Sequence, residues 1–201
     1  MIRVLLADDQ SLVRGAVAAL LGLEEDITVA AEAGSGAEVL ELLRSTEVDV
    51  ALVDVEMPGM DGIALTAAIK ADHPGARVLI VTTFGRPGYL RRALRAGADG
   101  FVVKDTPARR LADAVRRVHA GLRVVDPVLA AEGLVAGESP LTARETDVLR
   151  EAATGGTVAD LARTLHLSEG TVRNHLSAAI GKTGARTRAE AARLAQENGW
   201  L

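Results

Sequence analysis

Short apolar runs recur through the first half of the chain, at residues 3–7, 27–31, 48–54, 77–82 and 101–103. They are rich in Val, Leu and Ile and nearly continuous rather than alternating, so they read as strands covered on both faces. Between them, apolar residues return every third or fourth position. This spacing predicts helices over about 11–21, 36–44, 62–71, 88–96 and 107–120. Ser11 and Asp61 are placed to cap two of these helices, and Pro107 suits a first turn. The first helix is expected to bury Leu12, Ala16, Ala19, Leu20 and Leu23.

Strictly alternating strands and helices imply right-handed crossovers. The fold class expected for residues 1–122 is therefore α/β, a five-stranded doubly wound parallel sheet with helices on both faces. The run VDVALVD is the most apolar and must stop at Asp54, because Glu56-Met57-Pro58-Gly59 follows. Asp54 thus ends a central strand, where open α/β sheets gather their reactive groups. Asp8 and Asp9, Thr82 and Thr83, and Lys104 end three other strands. Any one of these is an ordinary solvated loop residue; four strands delivering such groups to one edge suggest a site.

From Thr142 onward the period is helical throughout. Thr142-Ala143-Arg144-Glu145 is a capping box, and Gly155-Gly156 ends the helix it starts. Further helices are expected over about 158–165, 169–180 and 187–197, with a turn at His166-Leu167 and a cap at Ser168. This is a small all-α helix-turn-helix unit over 139–201. Residues 123–138 mix Gly, Pro, Ala and acids and read as a linker, with a short helix expected over 128–134.

The chain has no cysteine, which removes disulfides and thiolate metal sites from consideration. The apolar run at the N-terminus is too short for a secretory signal, and no stretch has the length of a membrane span. A cytoplasmic protein without membrane insertion is the expectation. Residues 1–122 carry 14 basic and 17 acidic side chains, and residues 139–201 carry 8 and 7. So slight a positive balance in the second unit would not by itself announce nucleic-acid binding.

Three carboxylates at one edge repel one another unless a cation sits among them. Oxygen ligands without His or Cys suit Mg²⁺. Lys104 offers a point charge and Thr82 a hydroxyl to phosphoryl oxygens, and Asp54 is the nucleophile such a site would use.

Asp8-Asp9, Asp54 followed by EMPGMDG, Thr82-Thr83 and FVVKD together resemble the receiver domain of bacterial two-component response regulators. The resemblance implies a flavodoxin-like receiver with Asp54 as phosphoacceptor and Lys104, Thr82 and Thr83 assisting. Mg²⁺ would be held by Asp8, Asp9, Asp54 and the Glu56 backbone carbonyl. Thr82 and Phe101 would form the switch, and a sensor histidine kinase would be the donor. Glu56 and Phe84 would flank the path of the hydrolytic water, apolar Phe84 favouring a long-lived phosphoryl form. LTARE and LSEGTVRNHLSAAIGKTGARTRAEAA resemble the LuxR-type helix-turn-helix of the NarL/FixJ family. Thr183 stands where an apolar residue is usual, and GGTVAD lacks a common Asn. The stretch TTFGRPGYLRRA and the ending NGWL are similar to DesR-like regulators, which extends the expectation to membrane-lipid desaturation genes.

On the third helix of the second unit, Val172, Leu176 and Ile180 share the core side. Arg173, Asn174 and Ser177 point away, with Thr171, His175 and Lys182 nearby, the residue types that read bases and phosphates in double-stranded promoter DNA. Binding as a two-fold homodimer on phosphorylation is expected, through the last helix or the receiver's helical faces. RNA polymerase is a further expected partner. Two competing readings remain at this level: an Mg²⁺-dependent phosphatase working through an aspartyl phosphate, and a phosphorylation-independent DNA-binding regulator.

Overall fold

The structure is a computed structural model that describes residues 1–83, 85, 87–127, 129–131 and 139–201. Phe84 lies outside the described residues, as does most of the short helix expected over 128–134. The described chain divides into two units, one formed by residues 1–85 and 89–131 and the other chiefly by the C-terminal helices.

In the first unit β1 (Ile2–Ala7), β2 (Ile27–Ala33), β3 (Val50–Val53), β4 (Arg77–Thr82) and β5 (Gly100–Val103) alternate with helices. These are α1 (Ser11–Leu21), α2 (Gly36–Leu42), α3 (Gly62–Asp72), α4 (Pro87–Arg95) and α5 (Ala108–His119). A two-residue strand, β6 (Val124–Val125), pairs parallel with β5 and makes the sheet six-stranded rather than five-stranded. Its residues fall in the stretch expected to be linker. Two valines flanked by polar residues carry no periodic signal, and only the free edge of β5 turns them into a strand.

The sheet order is β2-β1-β3-β4-β5-β6, all parallel. Chain order reverses between β1 and β3, and the crevice beyond their carboxyl ends is where doubly wound sheets bind ligands. Leu5, Ala7, Val53, Ile80 and Phe101 pack with Leu65, Ile69 and Leu90 on one face. Val4, Leu6, Leu52, Val81 and Val102 pack with Leu21, Leu111, Val115 and Val118 on the other. Every residue of β3 is buried, as its unbroken apolar run requires.

The expected buried face of α1 is not the one the fold uses. Val17, Ala18 and Leu21 pack on the core, whereas Leu12 is 85 % exposed, Leu20 43 % and Leu23 79 %. The helix is apolar on nearly all sides, so spacing alone could not choose between two stripes. Ser11 is its first residue rather than its cap; Gln10 occupies the cap position and makes no side-chain capping bond. Asp61 does cap α3, accepting from the Ala64 N–H at 2.7 Å.

The second unit comprises α6 (Ala143–Ala153), α7 (Val158–Thr164), α8 (Glu169–Thr183) and α9 (Arg188–Glu197). Val148, Leu149, Leu161, Val172, Leu176, Ala179, Ala191 and Ala195 form its core, with Ile180 and Trp200 packed against it. His166 adopts a left-handed φ of 52° in the tight turn between α7 and α8. The Leu167 N–H then reaches back to the Ala162 carbonyl at 2.9 Å. Thr157 and Asp160 form a second capping box where the usual Asn is missing, and Thr183 satisfies its own hydroxyl on the Ala179 and Ile180 carbonyls.

Candidate functional site

The carboxyl ends of β1, β3, β4 and β5 bring the expected groups to the switch point. Asp54 is 3 % exposed and Asp8 8 %, whereas Asp9 is exposed. One carboxylate oxygen from each of Asp8, Asp9 and Asp54 lies within 4.8 Å of the others. The Lys104 ammonium bridges two of them, at 2.9 Å from Asp54 Oδ2 and 2.7 Å from Asp8 Oδ2. Backbone bonds continue the ladder into these loops. The Asp8 N–H donates to the Ala33 carbonyl at 3.1 Å, Asp54 to Ala7 at 2.9 Å and Lys104 to Thr82 at 2.7 Å.

Burial pushes the Asp54 carboxyl above the ordinary carboxylate range, more than the hydrogen bond and charge of Lys104 pull it down. Burial also opposes the Lys104 charge, but hydrogen bonds to Asp8 and Asp54 outweigh it and hold the ammonium above its usual pKa. Burial thus disfavours the charged form of Asp54 even with Lys104 beside it, and a further cation at this carboxylate would favour that form.

The donor set is hard oxygen throughout, and Asp54 Oδ1 is buried with no hydrogen-bond partner. A buried carboxylate oxygen left unpaired is costly unless something else satisfies it. These residues fit Mg²⁺, a hard cation that takes carboxylates and keeps waters.

Thr82 is fully buried and its hydroxyl also lacks a partner. Phe101 is fully buried on the same sheet, two residues before Val103, the strand partner of Thr82. Thr83 is exposed beyond the end of β4. The Glu56 side chain is exposed and accepts from the Tyr89 hydroxyl at 3.3 Å.

Arg14 was missing from the expected set. Its Nη1 donates to the Asp8 carbonyl, and its Nε stands 3.4 Å from Glu32. It also lines a cavity of about 20 Å³ shared with Asp8, Asp54 and Lys104, room for about one water. The available signal was a lone arginine within an otherwise apolar helix, one turn beyond the acid pair.

On α8, Arg173, Asn174 and Ser177 are exposed, and His175 and Thr171 are half-buried. Thr171 is engaged with the cap, its N–H donating to Ser168 Oγ at 3.1 Å. Lys182, expected to meet phosphate, spends its ammonium on Glu145, at 2.9 and 2.7 Å from the two carboxylate oxygens. Glu145 is 5 % exposed and its other role is the capping box of α6, so this pair ties α6 to α8. The hydrogen bonds from Lys182 and the Thr142 N–H hold the Glu145 carboxyl below its usual range.

Fold and site define a class: a doubly wound sheet with an acid cluster and a lysine at its switch point, carried with a helix-turn-helix module. Residues 4–116 match the family described as response regulator receiver domain, and residues 139–195 match the luxR family of bacterial regulatory proteins. The chain is 44 % identical to YvfU and 38 % identical to DesR, both transcriptional regulatory proteins of Bacillus subtilis. Each alignment covers 201 residues, the whole of both sequences. Among solved structures, the two-component response regulator RcsB in its DNA complex is similar at a TM-score of 0.71 and 25 % identity, over 98 % of each chain. The protein belongs to the LuxR-type response regulators, the transcriptional regulators that join a receiver to a helix-turn-helix domain. Among the described residues, no helix is long and apolar enough to cross a membrane.

Proposed function

We infer that Asp54 is the phosphoacceptor of this regulator and that its phosphorylation controls binding of the second unit to promoter DNA. The observation that carries the reading is the buried, half-satisfied Asp54 carboxylate. Lys104 is paired to one of its oxygens, Asp8 and Asp9 lie beside it, and the other oxygen is buried without a hydrogen-bond partner.

In this reading Asp54 attacks the phosphorus of a phosphohistidine on a sensor kinase. The new O–P bond forms as the N–P bond breaks, and the departing imidazole keeps the electron pair and takes a proton from solvent. Asp8, Asp9, Asp54 and the Glu56 carbonyl would hold Mg²⁺, which supplies charge neutralisation for the transferring group. Lys104 pairs with one phosphoryl oxygen, and the Thr82 hydroxyl, now without a partner, donates to another. Movement of Thr82 frees space that Phe101 can share, and the α4–β5 face changes shape.

Arg173, Asn174 and Ser177 read DNA, with Thr171 and His175 at the margin of that face. A second copy of the chain is the partner that doubles this contact on paired half-sites. The uncovered Leu12, Leu20 and Leu23 on and just beyond α1 support an association surface on the receiver. The relatives' names speak of transcriptional regulation, not of the genes controlled.

The test is Mg²⁺-dependent labelling of the full chain by a small phosphoryl donor, read by intact-mass spectrometry, beside an Asp54→Ala variant. One added phosphoryl group that disappears with Asp54→Ala is expected, together with loss of phosphorylation-enhanced DNA binding. Equal labelling of both proteins overturns the assignment.

A further inference from the structure

The recognition face of the second unit carries an acid that DNA binding alone does not call for. Glu169 lies in the first turn of α8 and is half-exposed, and its Oε2 accepts from Arg173 Nη2 at 2.6 Å. This is the turn that helix-turn-helix proteins bring closest to base edges. A carboxylate there is repelled by phosphates and cancels the charge of the arginine best placed to meet them.

The rest of the unit offers little to offset that. Of its eight Lys and Arg residues, seven have a carboxylate oxygen within 4.0 Å. A unit whose cations are mostly neutralised in advance gains little from backbone attraction, so discrimination must come from base edges. Most of these pairs join neighbouring turns on the outer faces of other helices. The pair on α8 differs because its members sit on the first two turns of the helix that would face the groove.

We propose that Glu169 and Arg173 act as one reading unit for adjacent G·C pairs, which makes Glu169 a specificity-determining residue. Glu169 holds the guanidinium fork in an orientation that takes guanine O6 and N7. On the neighbouring pair its free carboxylate oxygen accepts from a cytosine N4 amino group. Where that amino group is absent, the carboxylate faces an acceptor or a phosphate and is left desolvated without a partner, so wrong sequences are penalised as well as right ones rewarded. This rests on the reading of α8 as the DNA-contacting helix.

The experiment is selection from a library of random-sequence duplexes with the full-length wild type, Glu169→Gln and Glu169→Asp. Affinities are then measured for the wild-type consensus, its single-pair variants and a scrambled duplex. Trp200 emission and far-UV circular dichroism check that each variant folds. For Glu169→Gln we expect about three-fold tighter binding to the scrambled duplex. Discrimination at one or two adjacent G·C pairs should fall about five-fold or more, with the other consensus positions unchanged. Glu169→Asp, too short to reach Arg173, should lose the same discrimination while keeping the charge. A consensus unchanged in both variants, or a loss spread evenly over all positions, overturns the proposal, because a merely structural pair would behave so. If the wild type enriches no sequence, the DNA-contact reading of α8 fails first and this proposal falls with it.

Discussion

Gly62 offers the sharpest test of how the site is built. It begins α3, and its N–H donates to the Val55 carbonyl at 2.9 Å, pinning the helix start against the loop after β3. A Cβ at this position would stand 1.9 Å from the Asp54 carbonyl oxygen, 2.8 Å from the Asp54 carbonyl carbon and 2.9 Å from Val53 Cγ1. The first distance is roughly 1.5 Å short of ordinary van der Waals contact, and what blocks it is backbone that no rotamer change can move. Gly62→Ala must therefore push α3 away from β3, or push the Asp54 backbone out of line. Overpacking of this kind costs about 1–3 kcal/mol. A shift approaching 1 Å at a reacting group can cost on the order of 100-fold in rate. Urea unfolding of the first unit, followed by far-UV circular dichroism, reads the first effect. The rate of Mg²⁺-dependent phosphoryl labelling reads the second. Gly75→Ala is the control, since a Cβ there meets nothing within 4 Å and φ is ordinary. If Gly62→Ala unfolds within about 0.5 kcal/mol of wild type and labels at the same rate, the claim that close backbone approach sets the Asp54 position is refuted.

Three further outcomes follow from other contacts. Lys182→Met leaves buried Glu145 without its cation. It should destabilise the second unit by about 1–2 kcal/mol near neutral pH, a buried-pair loss discounted because the lysine is more than a third exposed. Trp200 emission reads it, and since the Glu145 pKa is depressed, the difference should shrink as pH falls through the carboxylate range. Arg3 holds the Asp49 carboxyl down to about 2, so its contribution is complete above the unfolded value near 4 and is lost as pH falls through about 2. Asp49→Asn should flatten the stability profile of the first unit in that window, and an unchanged slope counts against the pairing. Leu20→Glu should leave unfolding of the first unit within about 0.5 kcal/mol of wild type, because Leu20 is exposed, yet weaken association of the phosphorylated chain in light scattering.

The features legible in advance were those with a local physical signature. The unbroken apolar run ending at Asp54 specified a central strand. Alternation specified the parallel sheet, and the Thr142–Glu145 box specified where α6 begins. What escaped depended on partners distant in the chain. β6 exists because β5 has an edge to fill. The exposed stripe of α1 could not be told from its buried stripe when both were apolar. Lys182 carried the right charge for a phosphate, but only the packing of α6 on α8 reveals that Glu145 already holds it. Arg14 is tied to the acid loop through a main-chain carbonyl, a partnership that side-chain patterns cannot show.

The backbone bonds from Asp8, Asp54 and Lys104 to the neighbouring strands have a kinetic consequence. Their amides should exchange with deuterated water as slowly as those of the sheet interior, although they belong to loop tips at the molecular surface. Chemistry at such a place begins from parts already in position and spends little on assembling them. The slow events of signalling would then lie downstream, in the side chains and helices that respond.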